Sequence, residues 1–194
     1  KEVSLNAGLW LEDPDIDGIT WIVSPAKAKS VKTNFQDVIL GDKTWTPINT
    51  QNTALKTDAV AAYYFLRMNY PIKGMIIDRY GDIFSGFFIE KCIKSLGRKI
   101  KFGRPLSIHK RNTHNYFKDI TGELACIIIL EEMIDWLMEV NLEGNSFHDV
   151  YESLSYQIEE AVERIMKGFI WTDEVKAYFH SIAFHMRKWL SAYR

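Results

Sequence analysis

Cysteine is scarce in this chain: Cys92 and Cys126 stand apart within apolar runs, with no Cys or His beside them at metal-ligand spacing. That excludes a disulfide scaffold and a cysteine-based metal site. Two buried thiols are what is left, the expectation for a reducing, cytoplasmic setting. Charge of one sign is lacking too. The 24 Lys and Arg against 25 Asp and Glu leave a net charge of −1, so the whole-molecule field that draws proteins to nucleic acid is absent. There is no long apolar run: the strongest stretch, Leu124 to Leu130, leads into Glu131 and Glu132, far short of the roughly 20 residues that a membrane span needs. No internal repeat and no charged-then-apolar leader occurs. The chain opens at Lys1 without an initiator Met, as expected of a processed or trimmed product.

What is present is the composition of an ordinary globular protein, 47% apolar and 25% charged over 194 residues, enough to bury a substantial core. The pattern predicts a strand over 3–11, then a turn at Asp13-Pro14-Asp15 whose acid caps a short helix containing Ile16, Ile19 and Ile22. A polar loop follows over 24–34, a short strand over 35–40 and an extended segment over 45–54. Thr57-Asp58 opens a helix through Leu66. After Asn69-Tyr70-Pro71 comes a helix from Asp82 to Leu96, closed by Gly97, and then a strand from Ile100 to Ile108. Residues 116–140 read as one long or broken helix interrupted near Thr121-Gly122. Ser146 caps a helix to Met166, with Val150, Leu154, Ile158, Ala161, Val162 and Ile165 on one face, and Thr172 caps another to Tyr193. The texture changes near 141–145, so residues 1–140 form an α/β region and 141–194 a helical appendage.

Few residues carry chemistry on their own. Asp13, Asp15 and Asp17 imitate the first half of a calcium loop, but Ser24 stands where its bidentate Glu belongs, and a capped turn fits better. Asp82 at a helix start caps free amides, and beside Phe84, Phe87 and Phe88 it is also placed where desolvation raises basicity for general-base work. His109 closes the strand, either as a polar strand end or facing a ligand. The cations from Arg98 to Lys101, continued by Arg104, Lys110 and Arg111, form a solvated strand face or a local phosphate contact. Trp10, Trp21 and Trp45 either fill the core or stack on sugar rings. Phe179, Phe184, Trp189 and Tyr193 pack the last helix or present it to a second copy or another partner. His114, His148, His180 and His185 show no partner at metal spacing.

In their order, several segments resemble the C-terminal part of the reversibly glycosylated polypeptide family, which includes the plant UDP-arabinopyranose mutases, glycosyltransferase-like proteins of GT-A fold. Gly8-Leu9-Trp10-Leu11 with Pro14-Asp15-Ile16-Asp17 is similar to G-L-W-L-x-x-P-D-x-D, and Pro47, Asn52 and Ala54 to P-x-x-x-x-N-x-A. The run from Arg79 to Phe87 is similar to R-Y-D-D-x-W-x-G-W, with Gly81 in place of the first acid and Phe84 and Phe87 in place of the tryptophans. Leu96, Gly97, Lys101, Gly103, Pro105 and His109 keep a further block in register. The resemblance covers roughly residues 6–118. It implies the acceptor-side part of a GT-A fold, with the nucleotide-binding half upstream, and a metal-dependent glycosyltransferase acting on a nucleoside-diphosphate sugar such as a UDP sugar, with an unidentified acceptor. By the same resemblance Asp82 is the catalytic acid, and His109 ligates the Mn2+ or Mg2+ that bridges the diphosphate. Lys110 or Arg111 neutralises phosphate, and Asp15, Asn52 and Arg79 bind substrate. A UDP-sugar mutase and an inactive module acting through its C-terminal helices are the alternatives. The expectation that joins these assignments is that Asp82 and His109 face one cleft.

Overall fold

The computed structural model describes residues 2–72 and 74–193. Its centre is a parallel pair, β1 (Val3–Glu12) beside β6 (Lys99–His109). Between them in the chain lie α1 (Gly18–Val23), β2 (Val38–Ile39), β3 (Thr53–Leu55), the hairpin β4 (Tyr70–Ile72) and β5 (Met75–Ile77), and α2 (Gly81–Ser95). The main sheet runs β2-β6-β1-β3, with β2 and β3 antiparallel to their neighbours. Leu5, Ala7 and Ile100 face the core and are buried, as the alternation of a strand requires. The pairing jumps from Gly8 opposite Gly103 to Trp10 opposite Ser107. Pro105, which has no amide hydrogen for the ladder, lies within that irregularity.

α2 is apolar nearly all round, and Phe84 through Ile93 are buried beneath the sheet and the C-terminal helices. Its end is a Schellman closure: Gly97 at φ +66° donates to Lys94 O, and Arg98 N–H reaches back to Ile93 O. α3 (Tyr116–Glu139), α4 (Phe147–Arg164) and α5 (Asp173–Leu190) complete the chain, with a capping box at Ser146 and Asp149. One apolar cluster runs from Leu5 to Leu190, so α4 and α5 share their core with α2, α3 and the sheet. None of the described helices is long and apolar enough to cross a membrane.

Several sequence expectations need correction. The helix expected from Thr57 to Leu66 is a 3-10 segment ending at Ala62. Beyond it the backbone is held by α2 instead: Ser85 Oγ accepts from Leu66 N–H at 3.2 Å and lies 2.7 Å from Tyr64 O, and a Cβ on Gly81 would come 2.5 Å from Leu66 O. The β4-β5 hairpin was not anticipated, because three-residue strands are too short to show alternation. α3 runs unbroken through Thr121-Gly122. Ile165 is exposed rather than on the buried face of α4, and Thr172 makes no side-chain cap. Phe179 belongs to the core, whereas Phe184 and Tyr193 are exposed. The basic strand is matched by acids: Lys101 bonds Asp37 at 2.8 Å, Arg98 bonds Asp58 at 2.7 Å, and Lys99 pairs with Asp42.

Gly86 is the point where α2 touches the segment that carries Pro47 and Asn49. A Cβ there would come 3.0 Å from Ile48 O and 3.1 Å from Ile48 Cβ. Gly86→Ala is therefore expected to destabilise the protein by about 1–3 kcal/mol through overpacking. Urea unfolding measures this, and an unchanged midpoint would contradict the packing described.

Candidate active site

The hairpin delivers the chain to Asp78 and Arg79, and Arg79 takes a left-handed φ of +62°, a costly conformation for a residue with a side chain. That turn aims its guanidinium at α3. Nε donates to Glu123 Oε1 at 3.1 Å, and Nη1 lies 3.2 Å from Asp119 Oδ1. Asp119 and Glu123 are four apart and share one helical face. Gly122 beside them has no side chain, which lets the stem of Arg79 lie across the helix: a Cβ there would sit 3.2 Å from Arg79 Cδ. Glu123 Oε2 in turn accepts from Gly18 N–H at 2.9 Å, so one buried carboxylate ties α1, α3 and the Arg79 turn together.

Arg111 makes a second clamp. Its side chain is buried, bonds Ile16 O at 3.2 Å, lies 3.7 Å from Asp119 Oδ2, and stacks on the rings of Trp21 and Tyr116. Its backbone N–H donates to Asp13, whose carboxyl is held low first by that bond and then by Lys27 and His109. Asp17 is the cap of α1, accepting from Thr20 N–H and Oγ1. Asp13, Asp15 and Asp17 thus have separate partners, and no calcium loop forms. Among the described residues no group of three or more His, Cys, Asp or Glu is arranged to hold a metal ion.

These clamps frame a cavity of about 630 Å³. Asp15, Asp17, Asp78, Asp82 and Glu123 supply its carboxylates and Arg79 its cation. Pro47, Phe65, Met68, Ile83, Phe87 and Leu130 form apolar wall, and Asn49 and Tyr80 contribute polar surface. Asp15 is steadied by Gln51 Nε2 at 2.8 Å, and Asn49 Oδ1 accepts from Gln51 N–H, folding the loop that brings Gln51 there. Asp82 lies in the first turn of α2, one position inside its start, where Tyr80 is the cap. Burial pushes its carboxyl above the usual carboxylate range; Ile83 N–H, Asp15 and Arg79 modulate that shift, and the helix start opposes it. Tyr63, its hydroxyl buried and without a hydrogen-bond partner, is pushed up to about 12 by burial and then by the charge of Asp82.

Of the residues given a site role from the sequence, Asp82, Asp15 and Arg79 line this cavity, together with Asp17, Pro47 and Phe87 of the same motifs. His109, Asn52, Lys110 and Arg111 do not. His109, the last residue of β6, has its Nδ1 2.7 Å from Asp13 O just after β1, outside the cavity lining, so the expected meeting of Asp82 and His109 in one cleft is not what the fold builds. Asn52 donates to Leu9 O at 2.9 Å and crosses the strand over Gly8, where a Cβ would lie 2.0 Å from its Nδ2. It is a strand clamp, which accounts for the pairing of those two motif residues. Arg111 is spent on its stack, and Lys110 is exposed beside it. Arg79 itself is committed to carboxylates of its own chain. Asp119 and Glu123 were missed; an i, i+4 acid pair flanking a helical glycine was the available signal. Trp21 stacks at 6.0 Å on Tyr116, and Trp45 lies under Lys94, away from the cavity lining.

A model of the family described as "Reversibly glycosylated polypeptide" matches residues 1–194. UDP-arabinopyranose mutase 2 of Arabidopsis thaliana is 27% identical over 98% of this chain and 49% of its own length. Probable UDP-arabinopyranose mutase 2 of Solanum tuberosum is 28% identical over 98% and 49%. Probable UDP-arabinopyranose mutase 1 of Pisum sativum is 30% identical over 86% and 45%. The chain spans about half the length of the curated relatives it matches.

Two predictions follow from the geometry. Gly122→Ala adds about 1 kcal/mol of helix propensity but crowds the Arg79 stem at 3.2 Å, so urea unfolding is expected to show less than that gain; the full gain would contradict the crossing. Asp82 titrates higher in the folded than in the unfolded chain, so between those two values the folded state binds the extra proton and stability falls as pH rises. Asp82→Asn removes that loss. Its stability relative to wild type is expected to improve from pH 3 to pH 7, and a pH-independent difference in denaturation would contradict the shift.

Proposed function

The chain belongs to the reversibly glycosylated polypeptide family, and on that premise we propose that it forms the sugar-side part of a GT-A-type UDP-sugar enzyme whose reaction is a mutase rearrangement. The names of the relatives favour this over transfer to a separate acceptor, the reading that the sequence motifs put first. The observation that carries it is the placing of Asp82: a half-buried carboxyl of raised basicity, opposite Asp15, in a cavity with a long apolar wall. Such a wall accepts the C–H face of a pyranose while carboxylates take its hydroxyls.

A pyranose that changes to its furanose form breaks the C1–O5 bond, makes a C1–O4 bond and moves one proton from O4 to O5. Composition is unchanged, so the protein has to shuttle a proton and hold the ring. Asp82 can take and return that proton, because its environment brings its acidity closer to neutral pH. Asp15, fixed by Gln51, orients a neighbouring hydroxyl. Arg79 acts as a positioning residue through Asp119 and Glu123.

Among the described residues no cluster of three or more ligand groups is arranged for a metal ion, and His109 would supply a single ligand through Nε2, its Nδ1 being engaged with Asp13 O. Lys110 is the exposed cation available to a phosphate oxygen.

The test is conversion of UDP-arabinopyranose, followed by NMR of the ring form, with calorimetric binding measured alongside. Asp82→Asn is expected to lower conversion about 100-fold or more, as loss of a general base does, and to change affinity little. Measured in protein that carries the preceding half found in the relatives, full activity in Asp82→Asn, or a wild type that neither binds nor converts the nucleotide sugar, would overturn the reading.

A further inference from the structure

The charge around the cavity has a consequence for which sugars it admits. Its lining holds Asp15, Asp82 and further carboxylates against one cation, Arg79, and Arg79 is already paired with Glu123 and Asp119. Asp17 is spent on Thr20, and Glu123 on Gly18 and Arg79. Among the described residues Asp15 accepts from Gln51, and Asp82 from the backbone amides of Ile83 and of its own residue. Both therefore keep acceptor sites for a ligand, and among the described residues no uncommitted positive group in the lining can receive a ligand's negative charge.

We propose that this cavity selects among nucleotide sugars by charge at the exocyclic position, admitting neutral pentoses and hexoses and turning away hexuronates. The inference rests on the sugar-site reading given above. A hydroxymethyl group and a carboxylate on C5 are close in size, and a cavity of about 630 Å³ has room for either. They differ in what they ask of the protein. The hydroxymethyl donates to a carboxylate such as Asp82 or Asp15. The uronate carboxylate has no proton to donate, meets like charges, and is desolvated without a partner. The diphosphate, for the same reason, lies outside this cavity. Asp82 and Asp15 are thus specificity-determining as well as reactive.

Calorimetry with UDP-arabinopyranose, UDP-glucose and UDP-glucuronate at pH 7.5 tests the idea, since the UDP portion is common to all three. The glucuronate is expected to bind at least tenfold more weakly than the glucose compound. In the Asp15→Asn, Asp82→Asn double variant that gap is expected to close to within threefold. Equal affinity of wild type for glucose and glucuronate compounds would overturn charge selection, as would equal rejection of both while the arabinopyranose binds, which is selection by size. Binding of none of the three would overturn the sugar-site reading itself and so marks a different failure.

Discussion

The guanidinium of Arg79, gripped between Asp119 and Glu123 across Gly122, is the interaction on which the rest of the site depends. Three pieces of chain meet there that share no strand: the turn after the hairpin, the first half of α3, and the start of α1 through Gly18. The carboxylates are buried but the guanidinium is partly open to solvent, which screens the pair, so its value here is in fixing geometry more than in adding stability. The left-handed backbone at Arg79 costs a further 1 kcal/mol or so and is held only because the guanidinium is satisfied at both ends. Arg111 repeats the device on the other side of Asp119, with aromatic stacking in place of a second carboxylate.

This arrangement leaves Asp82 exposed to two opposing effects. The helix start favours its ionised form by about 0.3–1 kcal/mol at a surface position. Burial among apolar side chains disfavours it, and with Asp15 nearby the result is a raised pKa. Burial wins, so the acid is moved toward the range useful for proton transfer. Arg79, committed to the carboxylates of α3, opposes that shift less than any other group named here.

Much of the scaffold was legible because it obeys simple periods. β1 and β6 alternate or carry apolar runs, α4 repeats its apolar residues every three or four positions, and Gly97 marks the end of α2. Elements decided by tertiary contact were not. The backbone after Ala62 takes its hydrogen bonds from Ser85, and Gly122 serves Arg79 rather than breaking a helix. The same division runs through the site. Asp82, Asp15 and Arg79 could be picked from motifs, but a motif does not say whether a polar side chain faces a ligand or its own backbone. Asn52 and Arg111 turned out to face their own chain, and His109 is bonded to Asp13.

The most direct test of the account is a double-mutant cycle on Arg79 and Glu123, with Arg79→Ala, Glu123→Ala and the pair compared by urea unfolding. Coupling is predicted: the pair should cost less than the sum of the single variants by about 1 kcal/mol, because Arg79→Ala strands the buried Glu123 carboxylate whereas Glu123→Ala leaves a guanidinium that solvent reaches. Additivity within about 0.5 kcal/mol would show that the two side chains act independently, and the central claim would be wrong.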